Sequence, residues 1–416
     1  MTWTPPRTYS YAARIAFVVE LAEHLHAYGT TAQRLEGAVI GVAQQLDLEC
    51  EPRVSPTGML LSFSDPQRPP GESDTTRVLR MGLGEVDLYK LSEADRIAEE
   101  VLAGTLDLSD GHAALLELEL RRPGRGGKVL HAFGFAMIAA GVAGLWRLPW
   151  LDIATAAGIG LLVGLLDMAT RDGQRLKEAS EAIAGLLAGF AAIAVASMAG
   201  PLNLNTVMIA SLLVLLPGMS LTNAINELTS QHLVSGTARF AGAVATVIKL
   251  TVGTMIALTG AQLLGIEPQV HAWRPQPDWG EWVALVVACA AFAVLFRARL
   301  RDVPLVMAAA ATGYLISRYA GLVWGASIGL FLAALVVTAA GNGYARWASR
   351  PGAIVRVPGI IMLVPGSASL QGLMALIQQQ DMAVGQQGMM AVVNIILALI
   401  AGLLFGNLIL PTRKNL

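Results

Sequence analysis

Two hydropathy patterns divide the chain. Up to about residue 128, apolar positions recur at helical or alternating spacing with charged residues between them, whereas from Val129 onward long apolar runs follow one another with short polar breaks. The first pattern predicts helices over 10–28 and 31–46, strands near 50–55, 58–64 and 75–81, and helices over 91–104 and 109–121, which is a small α+β domain. The second predicts helices in lipid, because crossing about 30 Å of hydrocarbon takes ~20 mainly apolar residues. Ten segments follow, at 129–147, 151–169, 178–199, 203–216, 236–264, 280–297, 303–318, 322–345, 354–365 and 388–410.

The fourth and ninth segments resemble each other. LLVLLPGMSLTNAINEL (212–228) aligns with IIMLVPGSASLQGLMAL (360–376), so Pro217-Gly218 matches Pro365-Gly366; one inserted residue later Ser220 pairs with Ser369, Gly236 with Gly385 and Gly253 with Gly402. Each half then holds five spans. An odd count sends the second half through the membrane upside down, the inverted-repeat plan of many secondary transporters. The expected architecture is an α-helical polytopic membrane protein with ten transmembrane helices as two inverted five-helix repeats with broken helices, plus a small cytosolic α+β domain. Its divisions are 1–125, 126–270 and 271–416.

Composition sharpens that division. Hydrophobic residues make up 54% of the 416 and charged residues 14%, against about 25% charged in soluble domains. Residues 1–128 carry 13 Lys/Arg and 19 Asp/Glu, while residues 129–416 carry 16 and 11. With the cluster Arg121, Arg122, Arg125 and Lys128 on the cytoplasmic side, 16 basic residues fall in inside loops and only Arg147, Arg274 and Arg318 fall outside, as the positive-inside rule requires. Both termini are then cytoplasmic. No signal peptide is expected, because Glu20 interrupts the apolar stretch 15–21 and Glu23 follows it. Cys50 and Cys289 lie in different regimes and imply no disulfide framework.

The candidate chemistry gathers at the two Pro-Gly breaks. A 14-residue stretch such as 203–216 rises only about 21 Å as a helix and cannot cross alone. Proline removes a backbone donor, and carbonyls freed in this way must face protein or water. Paired short, interrupted segments are the best sequence pointer to a transporter's central site. Candidate substrate-binding residues are Pro217, Gly218, Ser220, Asn223 and Asn226 in the first half and Pro365, Gly366, Ser367, Ser369 and Gln371 in the second. Leu221, Ala224, Ile225 and Leu228 form an apolar stripe; the alternative to a site is a surface helix with a solvated polar face. Glu227, the only carboxylate beside either break, is the candidate proton carrier, with Arg239 and Lys249 as counter-ions. Lys249, near mid-span, is expected to face the bundle interior and find a carboxylate, Asp167 and Glu227 being the candidates, or to sit in a wet cavity, whereas Asp152 and Asp167 are expected to be solvated at the interface.

In the acidic domain, His24 and His26 stand two apart on a helix and make a poor metal pair. Ser55 in RVSPTGMLLSF lacks a recognisable base, and a strand-to-strand turn accounts for it. No phosphate loop, zinc spacing or basic nucleic-acid patch occurs, so neither a cofactor nor a metal is expected.

The runs HLHAYGTTAQRLEGAVIGVAQQLDLECEPRVSPTGMLLSF (24–63), LRMGLGEVDLYKLSEADRIAEEVLAGTLDL (79–108) and PGMSLTNAINELTSQHLVSGTARF (217–240) resemble the bacterial threonine/serine exporter family, in its fused form with both membrane halves in one chain. That resemblance implies a proton-driven efflux carrier for small amino acids in the cytoplasmic membrane, with a cytosolic N-terminal domain. It carries a PG-S-N pattern onto Pro217, Gly218, Ser220 and Asn223 and a G-R pattern onto Gly236 and Arg239. Ser55-Pro56-Thr57 departs from the threonine-Pro-Thr expected there. A split-chain cousin associated with dicarboxylate export makes succinate-like solutes the alternative cargo. A membrane-anchored hydrolase built on the N-terminal domain is the alternative of another class. Expected partners are the solute, protons and lipid, with a homo-oligomer open and no nucleic acid.

Overall fold

The structure is a computed structural model, and it describes residues 9–411 apart from 68, 70–73, 122–123, 171–172, 267–268, 270–275, 365–369, 371, 373 and 375–381. The N-terminal unit follows the hydropathy pattern closely: α1 (Tyr11–Ala27), α2 (Ala32–Gln45), β1 (Glu49–Ser55), β2 (Gly58–Ser64), β3 (Thr75–Arg80), α3 (Leu88–Leu102) and α4 (Leu108–Leu120). The strands form an antiparallel sheet in the order β1-β2-β3. In β2 the alternate residues Met59, Leu61 and Phe63 turn inward, onto a core that includes Phe17, Leu21, Leu35, Ile97 and Leu115. Ser10, Asp87 and Asp107 cap α1, α3 and α4 by accepting first-turn N–H groups, each cap stabilising by about 1 kcal/mol.

The apolar region comprises α5 (Arg125–Leu145), α6 (Trp150–Thr170), α7 (Gln174–Met198), α8 (Leu204–Ser211), α9 (Gly218–Thr229), α10 (Leu233–Leu263), α11 (Asp278–Leu295), α12 (Val303–Trp324), α13 (Ala326–Ala348), α14 (Ala353–Ile361) and α15 (Met382–Ile409). Among the described residues eight helices are long and apolar enough to cross a membrane, and nine crossings result if the bent pair around Pro217 counts as one. Of the ten expected spans, the described residues account for eight or nine. The segment predicted at 354–365 supplies only α14, nine residues long with Pro358 inside it, which at 1.5 Å per residue spans about half the hydrocarbon.

Contacts between helix ends show the long helices running up and down. At one end Leu202 N donates to Gln269 O at 3.0 Å and Gln269 N to Ala196 O at 3.2 Å, joining the end of α7, the approach to α8 and the loop after α10. At the other end His131 of α5 meets Asp167 of α6 at 3.1 Å, and Asn342 of α13 donates to Asn407 of α15 at 2.8 Å. α8 and α14 therefore enter from opposite ends. The packing scheme also recurs: α7 lies along α10 as α13 lies along α15, and α8 touches α5, α6 and α7 as α14 touches α11, α12 and α13.

Small residues make these crossings close. A Cβ at Gly253 of α10 would collide with the Ala182 carbonyl of α7, and one at Gly402 of α15 would fall 2.5 Å from Ala334 Cβ of α13. In lipid, where helix association draws on packing rather than hydrophobic expulsion, such approaches carry the fold. Gly253→Ala is expected to force α7 and α10 apart and to cost ~1–3 kcal/mol, seen as a lower melting midpoint of the purified protein in detergent; an unchanged midpoint would show the crossing to be adaptable.

Candidate functional site

The first break forms as the proline dictates. α8 ends at Ser211, a 3-10 turn covers Leu213–Leu215, Leu216 turns extended (φ −68, ψ 128), and α9 starts at Gly218 after a bend of 59°. Pro217 has no N–H to continue the helix; Gly218 N donates to Leu216 O at 2.8 Å and Leu221 N to Pro217 O at 2.9 Å. Leu213 and Val214 share an apolar cluster with Ile361 and Met362 at the end of α14, and Met219 packs in another with Ile360 and Val364. The residues after α8 and those at the end of α14 thus pack into the same apolar clusters inside the bundle. Pro365, Gly366, Ser367, Ser369 and Gln371 lie outside the described residues.

α9 is amphipathic as expected, but it is not a solvated surface helix. Leu221 and Ala224 are buried, Ile225 packs against Val392, Ile396 and Ile400 of α15, and Ser220, Asn223 and Asn226 are half-buried. Gly236 brings α10 onto α9, since a Cβ there would sit 2.8 Å from Ala224 O.

Glu227 is fully buried and tied on both oxygens. Oε2 accepts from Ser235 Oγ at 2.8 Å and from Arg239 Nε at 3.1 Å, both on α10. Oε1 accepts from Ala32 N at 3.2 Å, the first residue of α2, whose own N-cap Thr31 makes no side-chain cap bond. A carboxylate from the membrane region therefore caps a helix of the N-terminal unit, where the helix dipole favours negative charge. Glu36 continues this seam: it accepts from Val54 N at 3.0 Å and faces His232 Nε2 at 2.8 Å. Beside them His26 is buried with Nε2 3.2 Å from both Pro56 O and Gly82 O; burial pushes its pKa below the ordinary value, against those two carbonyls, which favour the charged form.

Glu227 and Arg239 come together as the sequence predicted, and Lys249 does not join them. Lys249 Nζ donates to Glu178 O at 2.9 Å and pairs with Glu181 of α7 at 3.5 Å, with 42% of its side chain exposed, so its expected pairing with Asp167 or Glu227 inside the bundle is corrected. Position along a span does not tell which way a side chain faces, and Lys249 finds a carboxylate near the end of the neighbouring helix. Asp167 pairs with His131. Asp152, expected to be solvated, is fully buried and accepts from Asn203 Nδ2 at 2.7 Å. Ser55 Oγ donates to Gly58 O at 2.8 Å across the hairpin, the turn role expected of it.

Sequence reasoning missed a second seam. Asp87, while capping α3, accepts from Arg297 at 2.9 Å; Glu93 pairs with Arg299 at 2.7 Å; Arg350 is bidentate to Asp302 and donates to Ser92 Oγ at 3.1 Å. Leu88 N also donates to Phe296 O at 2.9 Å. α3 is consequently buried on more than one face, and Asp95 on it has its carboxyl pushed up to about 8 by burial and by Glu99, opposed by Arg350. The signal was present in the charge split between an acidic N-terminal unit and basic loops. The N-terminal unit thus grips both halves of the membrane region, the first at Glu227 and His232 and the second at Arg297, Arg299 and Arg350.

These features define a polytopic membrane protein with a broken helix in its bundle and a folded unit clasped to one end. The chain belongs to the threonine/serine exporter family: its threonine/serine exporter profile matches residues 16–260, and the profile for threonine/serine exporter ThrE matches residues 281–409. Among curated proteins it is similar to pheromone-regulated membrane protein 10 of Zygosaccharomyces rouxii (25% identical, 83% of this chain and 36% of that protein). The protein of that name from Eremothecium gossypii is 24% identical, over 92% of this chain and 52% of its own length. The chain spans about a third to a half of the length of these relatives. No solved structure matches it.

The seam at Glu227 makes a measurable prediction. Glu227→Gln keeps the shape but leaves Arg239 without its counter-charge, and breaking a buried pair in this way costs ~3 kcal/mol. Arg239→Gln added to that variant is expected to cost much less than it does alone. Unfolding midpoints of the four proteins of the cycle test this; additive losses would show that the two residues do not act as a pair.

Proposed function

We propose that the chain is a secondary carrier that exports threonine, serine or a close analogue across the bacterial cytoplasmic membrane, driven by proton entry, with the N-terminal unit and both termini cytosolic. The observation that carries this reading is the entry of two half-length helices, α8 and α14, from opposite ends of the bundle, each against its own set of long helices and both ending in shared apolar clusters, which supports an inverted repeat with a central site between the halves. There the N-terminus of α9 at Gly218 meets the solute carboxylate through backbone N–H groups and the helix dipole. Ser220, Asn223 and Asn226 bind the solute from the first half, and the sequence repeat assigns Pro365, Gly366, Ser367, Ser369 and Gln371 as their counterparts in the second.

Glu227 links transport to the N-terminal unit. Protonating it would weaken both its pairing with Arg239 and its cap on α2, so a proton arriving there loosens the grip on the first half. Closing and opening the cytosolic end then depends on docking of the unit. Lys249, exposed and paired with Glu181, serves structure in this scheme rather than coupling.

Counterflow in proteoliposomes tests the cargo: labelled threonine is expected to accumulate against unlabelled threonine or serine and to ignore succinate. Accumulation of succinate alone would replace the cargo, and no threonine movement under any gradient would end the reading. Gating is tested separately by tethering the unit. Gln33 and Ser230 face each other across the seam, with Ser230 Oγ 3.4 Å from Gln33 Oε1, so Gln33→Cys with Ser230→Cys is expected to stop transport when oxidised and to restore it on reduction. Full transport by the cross-linked protein would show that the unit need not move.

A further inference from the structure

At the end of the bundle away from the N-terminal unit, a cavity of about 300 Å³ opens between the end of α5, the start of α11 and the last turns of α12. Two arginines that the sequence places in outside segments, Arg147 and Arg318, converge on it. Glu281, only 11% exposed, pairs with Arg318 and lies 3.6 Å from Arg147 Nε. Tyr314 links the same groups, donating to Glu281 Oε1 at 3.2 Å and accepting from Arg318 Nη1 at 3.0 Å.

Among the described residues the charges do not balance inside the cavity. Asp278 also pairs with Arg147, but it is 93% exposed, and water competes for so open a pairing. Away from the mouth, a pair of guanidinium groups shares one sheltered carboxylate, and Arg147 Nε is buried without a hydrogen-bond acceptor. One further anionic group would complete the set, in the planar, forked geometry that suits a carboxylate. At the mouth, Asp278 offers the opposite charge. Trp282 and Leu285 supply an apolar wall.

We propose that this cavity is a solute subsite for a small α-amino-acid zwitterion, with its carboxylate between Arg147 and Arg318, its ammonium at Asp278 and its side chain against Trp282 and Leu285. The subsite rests on the carrier reading for its role, as the binding step on the face opposite the N-terminal unit. A dicarboxylate fits poorly, because its second carboxylate would meet Asp278. The volume lies at the small end of ligand cavities, which suits a solute of threonine's size. The ethanolamine headgroup of a phospholipid carries a similar pair of charges. The exposed Trp150 and Trp279, with ring centroids 6.1 Å apart at this end, suit a membrane interface where such headgroups lie.

The test measures threonine exchange in proteoliposomes with solute added on one face at a time. Arg147→Gln and Arg318→Gln are each expected to raise the half-saturating concentration about tenfold on the face opposite the N-terminal unit, as loss of a charge-assisted contact does. On the unit's own face it is expected to stay within about twofold, because the cavity does not open there. Arg318→Lys, which keeps the charge, is expected to recover some of the loss and guards against misfolding. Equal changes on both faces, or none, overturn the subsite while leaving the carrier reading intact. If the wild type exchanges no threonine, the carrier reading fails, and calorimetry in phosphatidylglycerol nanodiscs decides the subsite alone. Threonine binding lost in both Gln variants then supports it, and binding that is absent from the wild type or retained in the variants overturns it. Threonine binding that disappears when phosphatidylethanolamine is added assigns the cavity to the lipid headgroup and overturns the solute.

Discussion

A carboxylate with no exposure to water must be paired or neutral, and Glu227 is paired three times over. That requirement fixes more than one side chain. Its bonds to Ser235 and Arg239 set where α10 starts relative to α9, and Gly236 between them lets the two backbones approach. Its bond to Ala32 N then sets where the N-terminal unit docks. Two consecutive helices and a third from the other end of the chain are positioned by one charge, so replacing it disturbs helix packing, domain docking and the electrostatics of the seam together.

The rest of the architecture follows from what lipid forbids. A half-length helix cannot end in hydrocarbon with free carbonyls, so α8 and α14 end among the surrounding long helices and in shared apolar clusters. The same economy explains why α7 crosses α10 and α13 crosses α15 at glycine: packing must replace the hydrophobic drive that water supplies to soluble bundles. The N-terminal unit, by gripping loops of both halves, adds a third constraint at one end. Any rocking of one half against the other has to break the Glu227 seam, the Arg297–Arg350 seam or both.

Much of this was legible in the sequence where local rules decide. The strand predicted at 58–64 is β2, and a proline after a short apolar run placed the bend at 217. Contacts between segments were less legible. Nothing near Glu227 announces that its partner is a backbone N–H of Ala32, because any helix N-terminus offers the same donor. Lys249 was misjudged because mid-span position fixes depth and not facing. The second seam had a signal, the excess of acid in residues 1–128 and of base in the loops, but net charge states only that the two regions attract and not which residues meet. The second Pro-Gly break lies outside the described residues, and the comparison of the two halves there stands on sequence.

The two ends of the bundle are built on different electrostatics. At one, arginines of α10 and of the loops are consumed by the acids of the N-terminal unit and its seam: Arg239 by Glu227, Arg297 by Asp87, Arg299 by Glu93. At the other, Arg147 and Arg318 face a cavity with one sheltered carboxylate between them. A guanidinium already paired in a buried seam has little to offer a passing anion, whereas one with an open donor beside a cavity has much. In the proposed carrier this arrangement closes the cytosolic end and leaves the far end ready to bind, which is the asymmetry that one state of an alternating-access cycle requires.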